Sequence, residues 1–228
     1  MSGTTVTRPA APFRLRRLEL AAAEAGDAVA RAQRDALIRR GAVPDVGIRE
    51  QARATLAAVR ARGDDGVRAA NDAVGGGRPD GRLVLDRSEL RDARDGLAAQ
   101  TRRALDQAIE NVRRFAEPQR PQSITVAVAP GIEIERRWEP LARVGAYVPG
   151  GSAPYPSSLV MTVVPAQVAG VGQVVVASPA DRDGRTNPIL LGAAGLLEVD
   201  AFVVAGGAQA IAALAYGLTG AGVAPVDR

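Results

Sequence analysis

From Ala142 onward, strand-like and helix-like segments alternate three times, and no other feature of the sequence constrains the fold as tightly. "ARVGAYV" leads through a loop of glycine, proline and serine to an apolar run expected to be helical from Ser157 to Ala169. "QVVVAS" leads through a polar loop to a helical "PILLGAAGLL", and "AFVVAG" leads through Gly206-Gly207 to a helical "AQAIAALAYG". A β-α-β-α-β-α order implies a parallel sheet covered by helices, because each helix carries the chain back to start the next strand in the same direction. In open sheets of this kind ligands sit beyond the carboxyl ends of the strands. The loop after Tyr147 and the loop at Gly206-Gly207 both fall there.

The residues before Ala142 read differently. "RRLELAAAEAGDAVARAQRDALIRRG" has apolar or alanine positions at helical spacing and is expected to end at a left-handed cap, Gly41. "VGIREQARATLAAVRARG" repeats the design, with Ile48, Leu56 and Val59 expected inward and Gly63 as the stop. A short helix is expected from Asp65 to Val74, then a turn at "GGGRPDG" and a short strand at "RLVLD". Ser88 is expected to cap the next helix, which breaks near Gly96. Leu105, Ile109, Val112 and Phe115 mark the buried stripe of its second part. From Ser123 to Tyr147 the pattern alternates as in β-structure, with Gly131 at a turn between two strands and Trp138 on an apolar, core-facing side. The fold class is therefore α/β: an N-terminal helical segment and a β-hairpin region, then a Rossmann-like βαβαβα unit. The expected division is a disordered tail at 1–12, a helical and hairpin part at 13–141, and a nucleotide-binding unit at 142–228.

Composition narrows the chemistry. Among 228 residues there is no cysteine and no histidine, and all 29 basic residues are arginine. That excludes disulfides, thiolate metal sites, an imidazole base, a Schiff-base lysine and a lysine-bearing phosphate loop. Aromatic residues make up 3%, so the core must rest on Ala, Val, Leu and Ile. The net charge of +4 is uneven: residues 1–120 hold 23 arginines and 17 acidic residues. Acidic side chains are interleaved with the arginines and no stacking aromatics accompany them, which argues for a solvated helical surface and no nucleic-acid partner. No run of ~18 apolar residues suggests a membrane span. The opening "MSGTTVTRPAAP" lacks the apolar core of a signal peptide, so a cytoplasmic protein is expected.

The two loops carry the functional expectation. Gly150-Gly151 and Gly206-Gly207 permit close approach of a ligand to main-chain N–H groups, each just ahead of a helix N-terminus that favours negative charge. Tyr147 can stack on a flat ring or hydrogen-bond to it, and Gln209 can offer an amide from the first turn of the following helix. Neither loop matches the G-x-G-x-x-G fingerprint. The residues by themselves support an α/β domain with a small-molecule cleft.

"VGAYVPGGSAPYPSSLVMTVVPAQVAGV", "VVAGGAQAIAALAYG" and "PVDR" resemble signature segments of the histidinol dehydrogenase family. "VRARGDDGV", "LDQAIENVRRFAEPQRP" and "PLARVGAYVPGG" resemble the same family in the same order. The resemblance implies oxidation of L-histidinol to L-histidine with two NAD⁺, a bound zinc ion, and an intertwined homodimer. By motif match it implies that Tyr147 and Gln209 contact NAD. The family's zinc ligands and its catalytic Glu-His pair lie beyond the segment that "VDR" matches, so they have no counterpart here. Ala116 stands where the family often has histidine. The expectation is the N-terminal portion of such an enzyme, inactive alone, with no catalytic and no metal-ligating residue of its own. The alternative is a non-catalytic nucleotide-binding or dimerisation module related to it.

Overall fold

The computed structural model describes residues 20–38, 46–150 and 154–228. The expected tail at 1–12, the cap at Gly41 and the second glycine of the Gly150-Gly151 pair lie outside the described residues. The chain divides into two units, residues 1–49 and 50–228.

In the first unit the long helical pattern is interrupted. α1 (Leu20–Glu24) and α2 (Ala28–Ile38) are separated at Gly26, whose φ of +104° no helix accommodates. The Asp27 carboxylate restarts the helix by accepting the Val29 and Ala30 N–H groups at 2.8 Å. α3 (Val46–Arg62) runs past residue 50. Val59 is buried and Leu56 half-buried as expected, but Ile48 is exposed, at the end of α3 that precedes the larger unit.

The larger unit is built around four strands. These are β1 (Val84–Leu85), β4 (Arg143–Tyr147), β5 (Gln173–Ser178) and β6 (Ala201–Val204), in the order β1-β6-β5-β4. β4, β5 and β6 are parallel, with Tyr147 opposite Ala177 and Ser178 opposite Val204. β1 adds an antiparallel edge, with Leu85 opposite Phe202. The other edge is covered by the end of the chain. There Arg143 N–H donates to the Asp227 carboxylate at 2.8 Å, and Gly145 N–H donates to Arg228 O at 2.7 Å.

Alternate strand residues feed two apolar layers. Ala146, Val174, Val176, Phe202 and Val204 face one side. It is covered by α5 (Arg87–Asp95), α6 (Ala99–Ala116), α7 (Pro156–Val168) and α8 (Pro188–Leu196). Val175, Ala177 and Val203 face the other, covered by α4 (Asp64–Val74) and α9 (Gly207–Tyr216). The helices upstream of Ala142 thus share the layers of the parallel strands, and the expected division at 141/142 falls inside the 50–228 unit. α5 and α8 touch backbone to backbone: a Cβ on Gly195 would stand 2.1 Å from the Leu90 carbonyl oxygen.

Two helix details differ from expectation. The cap of α5 is Asp86, not Ser88. The Asp86 carboxylate accepts the Ser88 and Glu89 N–H groups, and the Glu89 carboxylate accepts the Asp86 N–H, closing a capping box. Ser88 sits in the first turn and adds its hydroxyl to the same carboxylate at 2.7 Å. On α6 the inward stripe is Leu105, Ile109, Val112 and Ala116, and Phe115 is 73% exposed. Steps of four, three and four residues keep one face, and Phe115 is rotated off it by one residue.

The hairpin of β2 (Ile124–Ala129) and β3 (Ile132–Arg136) stands apart from the four-stranded sheet. Gly131 occupies its turn at φ +77°, as expected. Every residue of both strands is exposed. Trp138, expected in the core, is 52% exposed, with the Arg136 guanidinium 5.9 Å from its ring centre. The alternation that suggested a buried side is real, but neither apolar layer of the main sheet includes the hairpin.

Candidate functional site

The carboxyl ends of β4, β5 and β6 lie side by side, because all three strands run the same way and are in register. Three segments meet there: the Gly75–Gly81 loop after α4, Val148–Gly150 after β4, and Ala205-Gly206 after β6. Pro179, just past β5, fills their junction. A Cβ on Gly206 would stand 2.8 Å from the Pro179 ring, one on Gly150 2.9 Å and one on Gly76 3.1 Å. Ala180 N–H donates to the Gly76 carbonyl at 2.9 Å and closes the packing. Gly150 and Gly206 are therefore fixed by contact with Pro179. The expectation that such glycines open main-chain N–H groups to a ligand holds no better for them than ordinary close packing does.

Gly207 differs. Its φ is +54°, and its N–H donates to the Tyr147 hydroxyl at 3.3 Å. Tyr147 is half-buried, with its ring against the apolar layer under α9. α9 has no side-chain cap of its own at Gly206, so the Tyr147 oxygen takes the first N–H of the helix. Two sequence-predicted loops sixty residues apart are thereby joined by a hydrogen bond.

Gln209 follows two residues later and is 3% exposed. Its Nε2 donates to Asn71 Oδ1 at 3.3 Å. Asn71, on α4 and also buried, donates its own Nδ2 to the carbonyl of Val204 at 3.1 Å. Gln209 Oε1 points toward Gly207, 3.2 Å from where a Cβ on that glycine would be. No described residue donates to Gln209 Oε1 or accepts the Tyr147 hydroxyl proton. Tyr147 thus keeps an unspent donor and Gln209 an unspent acceptor.

Sequence reasoning missed Asn71. It stands four residues after Val67, which is fully buried, so helical spacing alone puts it on the inward face of α4. Asparagine is a poor residue for a helix interior, and one on a buried face is a signal of a specific hydrogen-bonding duty. Ser178, at the end of β5, is also fully buried, and its hydroxyl has no partner. Asn71, Ser178 and Gln209 are the buried polar residues among those described, and all three belong to this edge.

Around it the charges are local and paired. In the Gly75–Gly81 loop the Arg78 guanidinium and the Arg82 N–H bond to the Asp80 carboxylate and pull it down to about 2. Arg82 in turn holds Glu89 at 2.6 Å. Among the described residues no group of three or more acidic side chains could hold a metal ion. No helix among them is long and apolar enough to cross a membrane.

The comparisons with known proteins agree with one another. The family model for histidinol dehydrogenase matches residues 39–228. A histidinol dehydrogenase of Leifsonia xyli is 44% identical over 192 residues, covering 81% of this chain and 44% of that protein. One of Mycobacterium tuberculosis is 42% identical over 223 residues, covering 96% of this chain and 49% of that protein. The chain thus spans just under half the length of these relatives. The crystal structure of histidinol dehydrogenase from Elizabethkingia anophelis superposes with a TM-score of 0.74 at 23% identity, over 86% of this chain and 45% of that one, and shows the shared fold. With the family model matched over most of its length, the chain belongs to the histidinol dehydrogenase family.

Proposed function

We propose that this chain is the cofactor-facing, N-terminal portion of an enzyme that oxidises L-histidinol to L-histidine with two NAD⁺, and that Tyr147 and Gln209 border the cofactor. One observation carries the reading: the Tyr147–Gly207 hydrogen bond unites the two glycine-bearing motifs at the carboxyl edge of the parallel strands. NAD⁺, when bound, accepts the hydride. The share of this chain is to hold and orient. The Tyr147 ring offers a flat face and its hydroxyl a proton, and Gln209 offers a carbonyl oxygen. That pairing fits a ligand with both acceptor and donor groups, as the ribose hydroxyls and carboxamide of a dinucleotide have.

Zinc is a different matter. The sequence has no histidine and no cysteine, the donors that make protein zinc sites tight. The residues present do not fit it, and no zinc-dependent step is assigned to them. The reading therefore expects no NADH from the purified chain with histidinol, NAD⁺ and Zn²⁺, followed at 340 nm. Sustained turnover would overturn that division of labour.

The direct test is an NAD⁺ titration of the ¹⁵N-labelled chain. An aromatic contact contributes ~0.5–1.5 kcal/mol beyond area burial and a neutral hydrogen bond about as much. Association costs roughly 4–15 kcal/mol. Binding near or weaker than ~1 mM is expected from so few contacts. The amides of Tyr147 and of 206–209 should move together. Shifts confined to the arginine-bearing helices would refute the assignment.

A further inference from the structure

Resting on that reading of the edge, we infer that Asn71 is a positioning residue: it fixes which end of the Gln209 amide faces the ligand, so that Gln209 receives a hydrogen-bond donor and rejects a phosphate. The Val204 carbonyl at the end of β6 can only accept. The Asn71 amide touches it and must therefore turn its NH₂ toward it, at 3.1 Å. Its oxygen is then the end left for Gln209. Gln209 must answer with its own NH₂, at 3.3 Å. The polarity of the relay is thus dictated by chemistry, and Gln209 Oε1 is the end turned toward Gly207. Both side chains are over nine-tenths buried, so reversing either amide would set two acceptors or two donors against each other without water to relieve them.

The consequence concerns ligand class. A glycine pair before a helix invites a phosphate. Here the first N–H of α9 is already taken by Tyr147, and the side chain beside it presents an oxygen. A phosphate oxygen would meet a second oxygen. A sugar hydroxyl or a carboxamide N–H would meet a partner. The neighbourhood of Gln209 is therefore a subsite for the nucleoside part of a ligand, and the phosphates lie elsewhere.

The experiment follows the Gln209 side-chain NH₂ signals of the ¹⁵N-labelled chain, with adenosine, nicotinamide riboside and inorganic pyrophosphate as separate millimolar probes. In the unaltered chain a nucleoside moves the Gln209 signals and pyrophosphate does not. Asn71→Leu removes the relay with little change of shape. It should weaken nucleoside binding about tenfold, the worth of roughly one hydrogen bond, and let pyrophosphate move the freed amide. Asn71→Asp supplies the control that a purely structural role cannot imitate. Its protonated carboxyl can donate to Val204 and accept from Gln209 as asparagine does, and its carboxylate cannot. Nucleoside binding should therefore match the unaltered chain at low pH and fall as that carboxyl ionises. The buried position raises the pH at which this happens. Pyrophosphate shifting Gln209 in the unaltered chain, or a flat pH profile in Asn71→Asp, overturns the inference. The free chain reports separately: Gln209 NH₂ protons exchange slowly with water when Asn71 is present and quickly in Asn71→Leu, and equal exchange rates would show that there is no relay. Slow exchange with no response of Tyr147, Gly207 or Gln209 to any probe would keep the relay, refute its ligand role, and count against the cofactor reading of the edge.

Discussion

The four-stranded sheet and the β2–β3 hairpin have the same local signature in the sequence and opposite fates in the structure. β5, Gln-Val-Val-Val-Ala-Ser, and β2, Ile-Thr-Val-Ala-Val-Ala, are both six-residue runs rich in Val and Ala. In β5 five of six residues are buried; in β2 none is. The difference lies in what the connections carry. Each parallel strand is followed by a helix that packs back on the sheet and covers it. The hairpin has a tight turn at Gly131 and no covering element in its connection. A two-stranded ribbon gains little from pairing alone. Alternation thus reports that a segment is extended, and the neighbouring elements decide whether water is excluded from it.

The sharpest way to break this comparison is to cut matched side chains from both regions. Phe202 is fully buried at the centre of the apolar layer under α5–α8. Phe202→Ala should destabilise the 50–228 unit by about 3–5 kcal/mol, through lost burial and the cavity left behind. Ile134 is 58% exposed and pairs across the hairpin with Val126. Ile134→Ala should cost roughly 0.2–1 kcal/mol, the worth of a cross-strand contact. Urea unfolding of both variants decides the matter. Equal losses would mean that the hairpin is covered in solution.

A second test uses volume added instead of removed. Gly195→Ala drives a methyl group into the Leu90 carbonyl, across a helix contact that has no slack. A loss of about 1–3 kcal/mol is expected, with α5 and α8 forced apart. Gly131→Ala on the hairpin meets no atom within 4 Å and carries only the strain of its φ of +77°, so its effect should be smaller and local.

These pairs also show which parts of the fold the sequence makes legible. The order of strands and helices after Ala142 follows from period and turn residues, and so does the break at Gly96, because those signals are local. The antiparallel edge strand β1 and the packing of α4–α6 onto the same sheet are long-range outcomes that no local pattern encodes. Phe115 and Trp138 fail for a related reason: a large apolar residue seeks cover, but the face it lands on is set by helix phase in one case and by an uncovered hairpin in the other. At the candidate site Tyr147 and Gln209 were reachable by motif resemblance. Asn71 was reachable only by counting four residues on from Val67. Its hydrogen bonds to Val204 and Gln209, 133 and 138 residues away in sequence, were not.

The third test moves to the carboxyl edge of the parallel strands. Tyr147→Phe keeps the ring and removes the oxygen that takes the Gly207 N–H. A bond of 3.3 Å between half-exposed groups contributes modestly, so a stability loss of about 0.5–1 kcal/mol is expected. The informative readout is hydrogen exchange. The Gly207 amide should lose protection while the hairpin amides are unaffected. If the Gly207 amide exchanges as before, the hydroxyl contact does not persist in solution and the support it gives to the cofactor reading is lost.

The smallest effect expected is an acid-side one at the cap of α5. The Ser88 hydroxyl, then the Glu89 N–H, hold the Asp86 carboxyl below its ordinary value, with Arg82 contributing from nearby. A carboxyl lowered in the folded state contributes stability that is fully present above the unfolded value, about 3.9, and that is lost as the pH falls through the folded one. Asp86→Asn keeps a side-chain oxygen for the two N–H groups, so the helix stays capped, but it has no proton to take up. Stability at neutral pH should drop slightly, and its decline below about pH 4 should become shallower than in the unaltered chain. Because α5 packs on α8 at the Leu90–Gly195 contact, the change should appear in global unfolding of the 50–228 unit and not as fraying of one helix. Acid titrations of the two chains, followed by far-ultraviolet circular dichroism at fixed urea, measure the slope. Identical acid limbs would show that the Asp86 box is open in solution, and that α5 holds its place against α8 by packing alone.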